Sequence, residues 1–246
     1  MTGQLLPDSY FIKPFDAQHA VYLGIFLVVL ALILSQHRKI KEDAEPVLAT
    51  TLALSIMQVI VLYGSYIAEG FNWAEGLPLH ISRVSTFIGI LWLITRKPIF
   101  MDILFFFGLY AYGSFLYPSR VHPITHPIGI SFLTNHIITI LLPIFAVIAF
   151  DWRPTKKAFW RSTAWFLVYL AAAMFANALT GGNYFYMTKR IVFQDLPLWQ
   201  YTVFMVFFTV GVFALGGFIA DRLIKVYHKR QAEREASHSA GVSASG

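Results

Sequence analysis

An all-α, polytopic membrane fold is predicted by three observations. Of the 246 residues, 57% are hydrophobic and only 13% charged, whereas soluble domains carry about 25% charged residues. Long apolar runs recur along the whole chain, each close to the ~20 residues that a membrane-crossing helix requires. The basic residues between those runs alternate between many and few, the signature of a chain that passes back and forth through a bilayer. The 23 Phe, 12 Tyr and 6 Trp residues suit lipid-facing and interfacial positions.

Seven spans are expected, at residues 19–35, 46–67, 77–95, 99–117, 127–150, 158–179 and 198–224. The first ends at the charged stretch 37–43, the second near Glu69 and Gly70, and the third at Arg96, Lys97 and Pro98. Pro118 and Arg120 follow the fourth, Asp151 to Lys157 the fifth, and Gly181, Gly182 and Asn183 the sixth. The seventh leads into Lys225, Lys229 and Arg230. The chain thus divides into an external segment 1–17, a seven-helix domain 18–228 and a disordered cytoplasmic tail 229–246 that is polar and small in composition.

Orientation follows from the loops. Arg38, Lys39 and Lys41, then Arg96 and Lys97, then Arg153, Lys156, Lys157 and Arg161 follow the odd-numbered spans. The other side holds only Arg120, Lys189, Arg190 and Lys13. The excess belongs on the cytoplasmic side, which puts the N-terminus outside, the C-terminus inside, and the protein in the cell membrane as a multi-pass chain. The same placement accounts for the net charge of +6, so no nucleic-acid partner is expected. No basic region runs directly into an apolar stretch at residues 1–16, and no cleavable signal is expected. With no cysteine, disulfides, thiolate nucleophiles and Cys-ligated metals are excluded; no metal or cofactor is expected.

Ionisable groups at membrane depth cost about 2.5–3.5 kcal/mol each, so they mark bundle interiors and functional sites. On the expected topology one layer in the outer half collects most of them. The third span brings His80, Ser82 and Arg83, the fifth Asn135 and His136, and the sixth Asn177, with Asn183 and Tyr184 just beyond. His19 lies at the outer start of the first span, and Gln58 nearer the middle of the second. Ser82, Ser85, Thr86 and Gly89 share a helix face, whereas His80 falls on the opposite one. His136 shares its face with Gly129, Phe132 and Thr139. A hydroxyl beside an imidazole is the minimal apparatus of acyl transfer, so Ser82 as nucleophile and His136 as base are the expected catalytic pair. His80, Arg83, Asn135, Asn177, Asn183 and Tyr184 are the expected substrate contacts. No carboxylate shares the layer, so a full triad is not expected. Asp102, near the inner surface, is expected to pair with Arg96 or Lys97.

Leu77-Pro-Leu-His80-x-x-Arg83, Arg96-Lys97, Asn135-His136, Arg153-Pro-Thr155 and the run from Asn177 to Met187 resemble the YwaF-like integral membrane proteins of bacteria. That family is similar to eukaryotic multi-pass acyltransferases that remodel ether phospholipids through a cysteine and a histidine. The resemblance implies a lipid acyltransferase or lipid-ester hydrolase with membrane lipids as partners. In the motif the cysteine falls on Ser82 and the histidine on His136, so serine stands where the family has a thiol. Two other classes stay open: a lipid or small-molecule binding or transport protein, and a structural accessory subunit.

Overall fold

The computed structural model describes residues 10–190 and 192–244, with side chains to 233; residues 1–9 of the expected external segment lie outside the described residues. Nine α-helices follow one another among them: α1 Ala17–Ser35, α2 His37–Glu42, α3 Glu45–Ala68, α4 Trp73–Gly76, α5 Ile81–Thr95, α6 Pro98–Leu116, α7 Pro127–Phe150, α8 Lys156–Thr180 and α9 Leu198–Ala244. Their ends obey local chemistry. Asp16 caps α1 by accepting from the His19 N–H at 2.7 Å, and Thr155 caps α8 through the Ala158 N–H at 3.0 Å. Proline begins α6 and α7, where its missing N–H is harmless. Gly181 closes α8 at φ +69°, the left-handed geometry a C-terminal stop favours.

Six helices are long and apolar enough to cross a membrane: α1, α3, α6, α7, α8 and Leu198–Glu233 of α9. The expected third span is shorter than the sequence pattern suggests. Leu77 to His80 are not helical, with Leu77 and His80 extended and Pro78 and Leu79 in a turn, and α5 has 15 residues, about 22 Å against the ~30 Å hydrocarbon core. Pro78 and the extended backbone at His80 account for the late start. Helical backbone also continues to Ala244, through the stretch read as a tail. Two short helices, α2 and α4, were not legible as separate elements.

Helices α6 and α7 form the centre. α6 packs against α5, α7 and α8, and α7 against α3 and α1. The outward faces of α1 and α9 present Leu27, Val28, Phe207, Leu215 and Leu223, as lipid-facing helices should. At the end distant from the strap before α5, Asp102 is buried on α6. Its carboxylate takes the Arg161 guanidinium of α8 at 2.7 Å and the Trp152 indole N–H at 3.1 Å, not Arg96 or Lys97. Arg96 instead lies 3.9 Å from Glu45.

The register between helices produces a step. His19 of α1 bonds Phe115 of α6, Ser114 of α6 meets His136 of α7, and Ser82 of α5 meets Asn135 of α7. One end of α1, of α5 and of α6 therefore lies at a common level. α7 begins nine residues before His136, about 13 Å further along the axis. There His126, its N-cap, comes within 3.7 Å of Glu69 at the end of α3. α8 likewise continues eleven residues past Tyr169, which bonds Leu79. Three helices thus stop short of the other three, and residues 10–16, 69–80 and 117–126 fill the step.

Replacing Asp102 by Ala leaves the Arg161 cation without its carboxylate. Loss of a buried partner costs about 3–5 kcal/mol; Arg161 is partly exposed, so a loss of about 2 kcal/mol is expected. A thermal melt in detergent micelles checks it, and an unchanged melting temperature would show that the pair contributes nothing.

Candidate functional site

The step is built by satisfying backbone groups with side chains. Non-helical backbone within a membrane protein persists only where its polar groups find partners inside the protein or in a wet cavity. Arg83, in the first turn of α5, turns back on the strap that precedes it. It donates to the Glu75 and Leu77 carbonyls, the latter at 3.1 Å, and to the Tyr66 hydroxyl at 2.5 Å. Tyr169 donates to the Leu79 carbonyl at 3.0 Å. Tyr184 donates to the Trp73 carbonyl at 2.6 Å and accepts from the Leu77 N–H at 3.1 Å. Burial pushes the Tyr184 phenol above its ordinary range, so it remains a donor.

Tyr184 is itself positioned by the run from Asn177 to Met187. The Asn177 amide grips the Tyr184 backbone at both ends, accepting from its N–H at 2.7 Å and donating to its carbonyl at 3.0 Å. Asn183 closes the turn, accepting from the Thr188 and Lys189 N–H groups and donating to the Lys189 carbonyl. A Cβ at Gly182 would lie 2.6 Å from the Ala74 carbonyl, so glycine there lets the strap approach. His80 stands at the N-cap position of α5 without a side-chain capping bond, its ring 5.0 Å from that of Tyr184 and its Nε2 3.4 Å from the Glu75 carboxylate. The His80 imidazole holds the Glu75 carboxyl below the usual range. Of the expected substrate contacts, Arg83, Asn177, Asn183 and Tyr184 are thus engaged in holding the strap and its supporting turn, and His80 lies within the strap against Tyr184 and Glu75.

Asn135 belongs to an interior polar cluster between α3, α5 and α7. Its amide donates to the Ser82 carbonyl at 3.3 Å and accepts from Thr139 at 3.2 Å and from Thr86. Ser131 donates to the Gln58 amide oxygen at 2.8 Å. The cavity beside them, lined by Ser55, Gln58, Ser85, Thr86, Asn135 and Thr139 among others, has a volume of about 10 Å³. That is room for about one water molecule, far too little for a lipid.

His136 is the exception in the layer, because its partner carries chemistry. The ring is 2% exposed, with Phe132 stacked on it at 3.8 Å and Phe115 at 6.0 Å. Nδ1 lies 2.8 Å from the Phe132 carbonyl. A carbonyl only accepts, so Nδ1 holds the proton, and in the neutral ring Nε2 carries the lone pair. Nε2 lies 2.9 Å from the Ser114 hydroxyl. The structure therefore joins His136 to Ser114 of α6, a residue that sequence reasoning passed over, while Ser82 reaches α7 only through its backbone. His19 is structural: its Nδ1 accepts from the Phe15 N–H, so Nε2 donates to the Phe115 carbonyl at 2.9 Å. Among the described residues no group of three or more His, Cys, Asp or Glu could hold a metal ion.

The fold and this layer define a multi-pass helical membrane protein in which a buried imidazole meets a surface hydroxyl near one end of the bundle. The model of the TMEM164 family matches residues 14–218, and the chain belongs to that family. It is also similar to a protein of Treponema pallidum (strain Nichols) described as uncharacterized, 26% identical over 200 residues that cover 77% of this chain and 80% of that one. No solved structure matches.

Two outcomes follow from the geometry. Tyr184→Phe strands the Trp73 carbonyl and the Leu77 N–H, and should lower stability by about 1–3 kcal/mol; faster hydrogen exchange at Leu77 checks it. His122, in the 117–126 loop with its ring 4.4 Å from that of His126, is pushed from an ordinary 6.5 down to about 4, by burial first and by the His126 charge second. Between those values the unfolded chain binds the extra proton, so stability should fall as pH drops from about 6.5 toward 4. His122→Asn should flatten that slope in pH-dependent melts.

Proposed function

We propose that this protein is a seven-span enzyme of the cell membrane that transfers acyl groups from, or hydrolyses, lipid esters, with His136 as the general base. The observation that carries the reading is the His136 imidazole itself. Its tautomer is fixed by a backbone carbonyl, aromatic rings cover it, and its basic nitrogen is aimed at a serine hydroxyl. Serine hydroxyls become acyl nucleophiles through such a base, and shielding from water favours transfer over hydrolysis. The motif resemblance to YwaF-like proteins and to ether-phospholipid acyltransferases points to the same chemistry.

In this reading α5 and the strap before it together make the seventh crossing. The alternation of basic loops supports an N-terminus outside and a cytoplasmic C-terminus, which turns the step toward the outer leaflet. Arg83, Asn177 and Tyr184 then shape the site through the strap, and His80, Asn135 and Asn183 through their own contacts with its supports.

Purified protein presented with acyl-labelled phospholipid in mixed micelles tests the reading. His136→Ala should reduce turnover about 100-fold or more, the range of general-base catalysis. Absence of turnover by folded wild-type protein across ester- and ether-linked phospholipids would sink it. A structural accessory role is favoured by the many polar side chains engaged on backbone carbonyls. It predicts a lower melting temperature for His136→Ala and no lipid turnover in any variant.

A further inference from the structure

We infer that Ser114, at the end of α6, is the hydroxyl that takes the acyl group from the substrate, and that the lipid ester reaches it from the side of the bundle. The inference rests on the acyl-transfer reading above and changes its nucleophile from Ser82 to Ser114.

Elimination within the layer supports the assignment. The Ser131 hydroxyl is held by Gln58, Ser85 donates to the Ile81 carbonyl at 2.8 Å, and Thr86 and Thr139 donate to Asn135. Both His136 ring nitrogens have partners, and neither is Ser82. Ser114 has two further contacts, to the Tyr110 and Ala111 carbonyls, both at 3.3 Å. Its single proton is best directed at the 2.9 Å contact with Nε2.

Access separates the two members of the pair. His136 is closed in, whereas Ser114 is exposed near the end of α6, about one helical turn from Tyr117, which is 68% exposed. An exposed tyrosine about one turn from the serine suits a surface that touches acyl chains on one side and ester groups on the other. The cavity beside Asn135 is too small to admit a lipid, and the exposed end of α6 presents the nucleophile to an ester approaching from the side of the bundle.

The reaction balances with these two groups. Nε2 takes the Ser114 proton as Oγ bonds to the ester carbonyl carbon. The proton then passes from Nε2 to the alkoxide of the leaving lysolipid as the ester C–O bond breaks, leaving an acyl-serine. An acceptor alcohol, or water, gives its proton to Nε2 and attacks that acyl carbon, and the proton returns to the Ser114 oxygen as it leaves. The Nδ1 proton stays on Nδ1 throughout, donated to the Phe132 carbonyl.

A fluorophosphonate reports the nucleophile independently of lipid turnover, because it forms a stable serine–phosphorus bond with loss of fluoride. Full-length protein in micelles is treated with the reagent, digested and read by peptide mass spectrometry. Label is expected on Ser114 in wild type, lost about 100-fold or more in Ser114→Ala and His136→Ala, and held within about twofold in Ser82→Ala. Ser114→Cys, matched to wild type by melting temperature, should react with a thiol alkylator faster than Ser82→Cys. Label on Ser82, or none on Ser114 in folded wild type, overturns the assignment. Lipid turnover that survives Ser114→Ala but not Ser82→Ala overturns it while leaving the acyl-transfer reading intact. Label on Ser114 without turnover of any phospholipid keeps the nucleophile and removes the lipid substrate.

Discussion

The guanidinium of Arg83 holding the carbonyls of Glu75 and Leu77 is the interaction on which the site end depends. α5 starts late, so the strap leading into it exposes peptide groups that no helix satisfies. An unpaired buried peptide group costs about 1–3 kcal/mol. The strap has at least five in need of partners: the carbonyls of Trp73, Glu75, Leu77 and Leu79 and the N–H of Leu77. Arg83, Tyr169 and Tyr184 close them, and each comes from a different helix or loop. The strap is thereby a joint between α3, α5, α8 and the Asn177–Met187 turn. The same principle operates over α1 and α6, where His19 and Tyr22 donate to the carbonyls of Phe115 and His122.

That use of polar groups explains what the sequence revealed and what it hid. Long apolar runs bounded by Pro98, Pro127, Thr155 and Gly181 located most helices, because period, caps and breakers are local properties. The layer of His80, Arg83, Asn135, His136 and Asn177 was also legible, since polar residues in apolar runs stand out by composition alone. Their roles were not. Asn177, Asn183 and Tyr184 read as substrate contacts, yet they fasten a strap more than 100 residues away in sequence. Leu77 to His80 read as the start of a helix, although Pro78 and the partners waiting on other helices favour a turn between two extended residues. Asp102 read as the partner of cations nearby in sequence, whereas the bundle brings Arg161 to it from α8.

Ser114 was invisible for a different reason. A lone serine between Gly113 and Phe115 in an aromatic helix is most simply satisfied by the carbonyl one turn back, and nothing local distinguishes it. What raises it above that role is a long-range pairing set by the register between α6 and α7. Gly108 contributes to this register, because a Cβ there would sit 3.1 Å from the Thr139 methyl. One turn along α7, Thr139 bonds Asn135 and thus ties α7 to α5. The helix contacts that present Nε2 to Ser114 and those that close the interior cluster are therefore adjacent turns of one interface.

The electrostatic character of the pair follows from its partner at Nδ1. A carboxylate there would fix the tautomer and also offset the charge that forms when the ring takes a proton. The Phe132 carbonyl fixes the tautomer equally well but supplies only a dipole. With Phe132 and Phe115 against the ring, the imidazolium is poorly stabilised, so it should persist only while a neighbouring oxyanion balances it. In the acyl-transfer reading proposed above, such a base holds a proton only during bond exchange at Ser114 and does not store charge at membrane depth between turnovers. That is the arrangement an apolar bundle can tolerate: a neutral pair at rest, ionised only when the substrate brings the opposite charge.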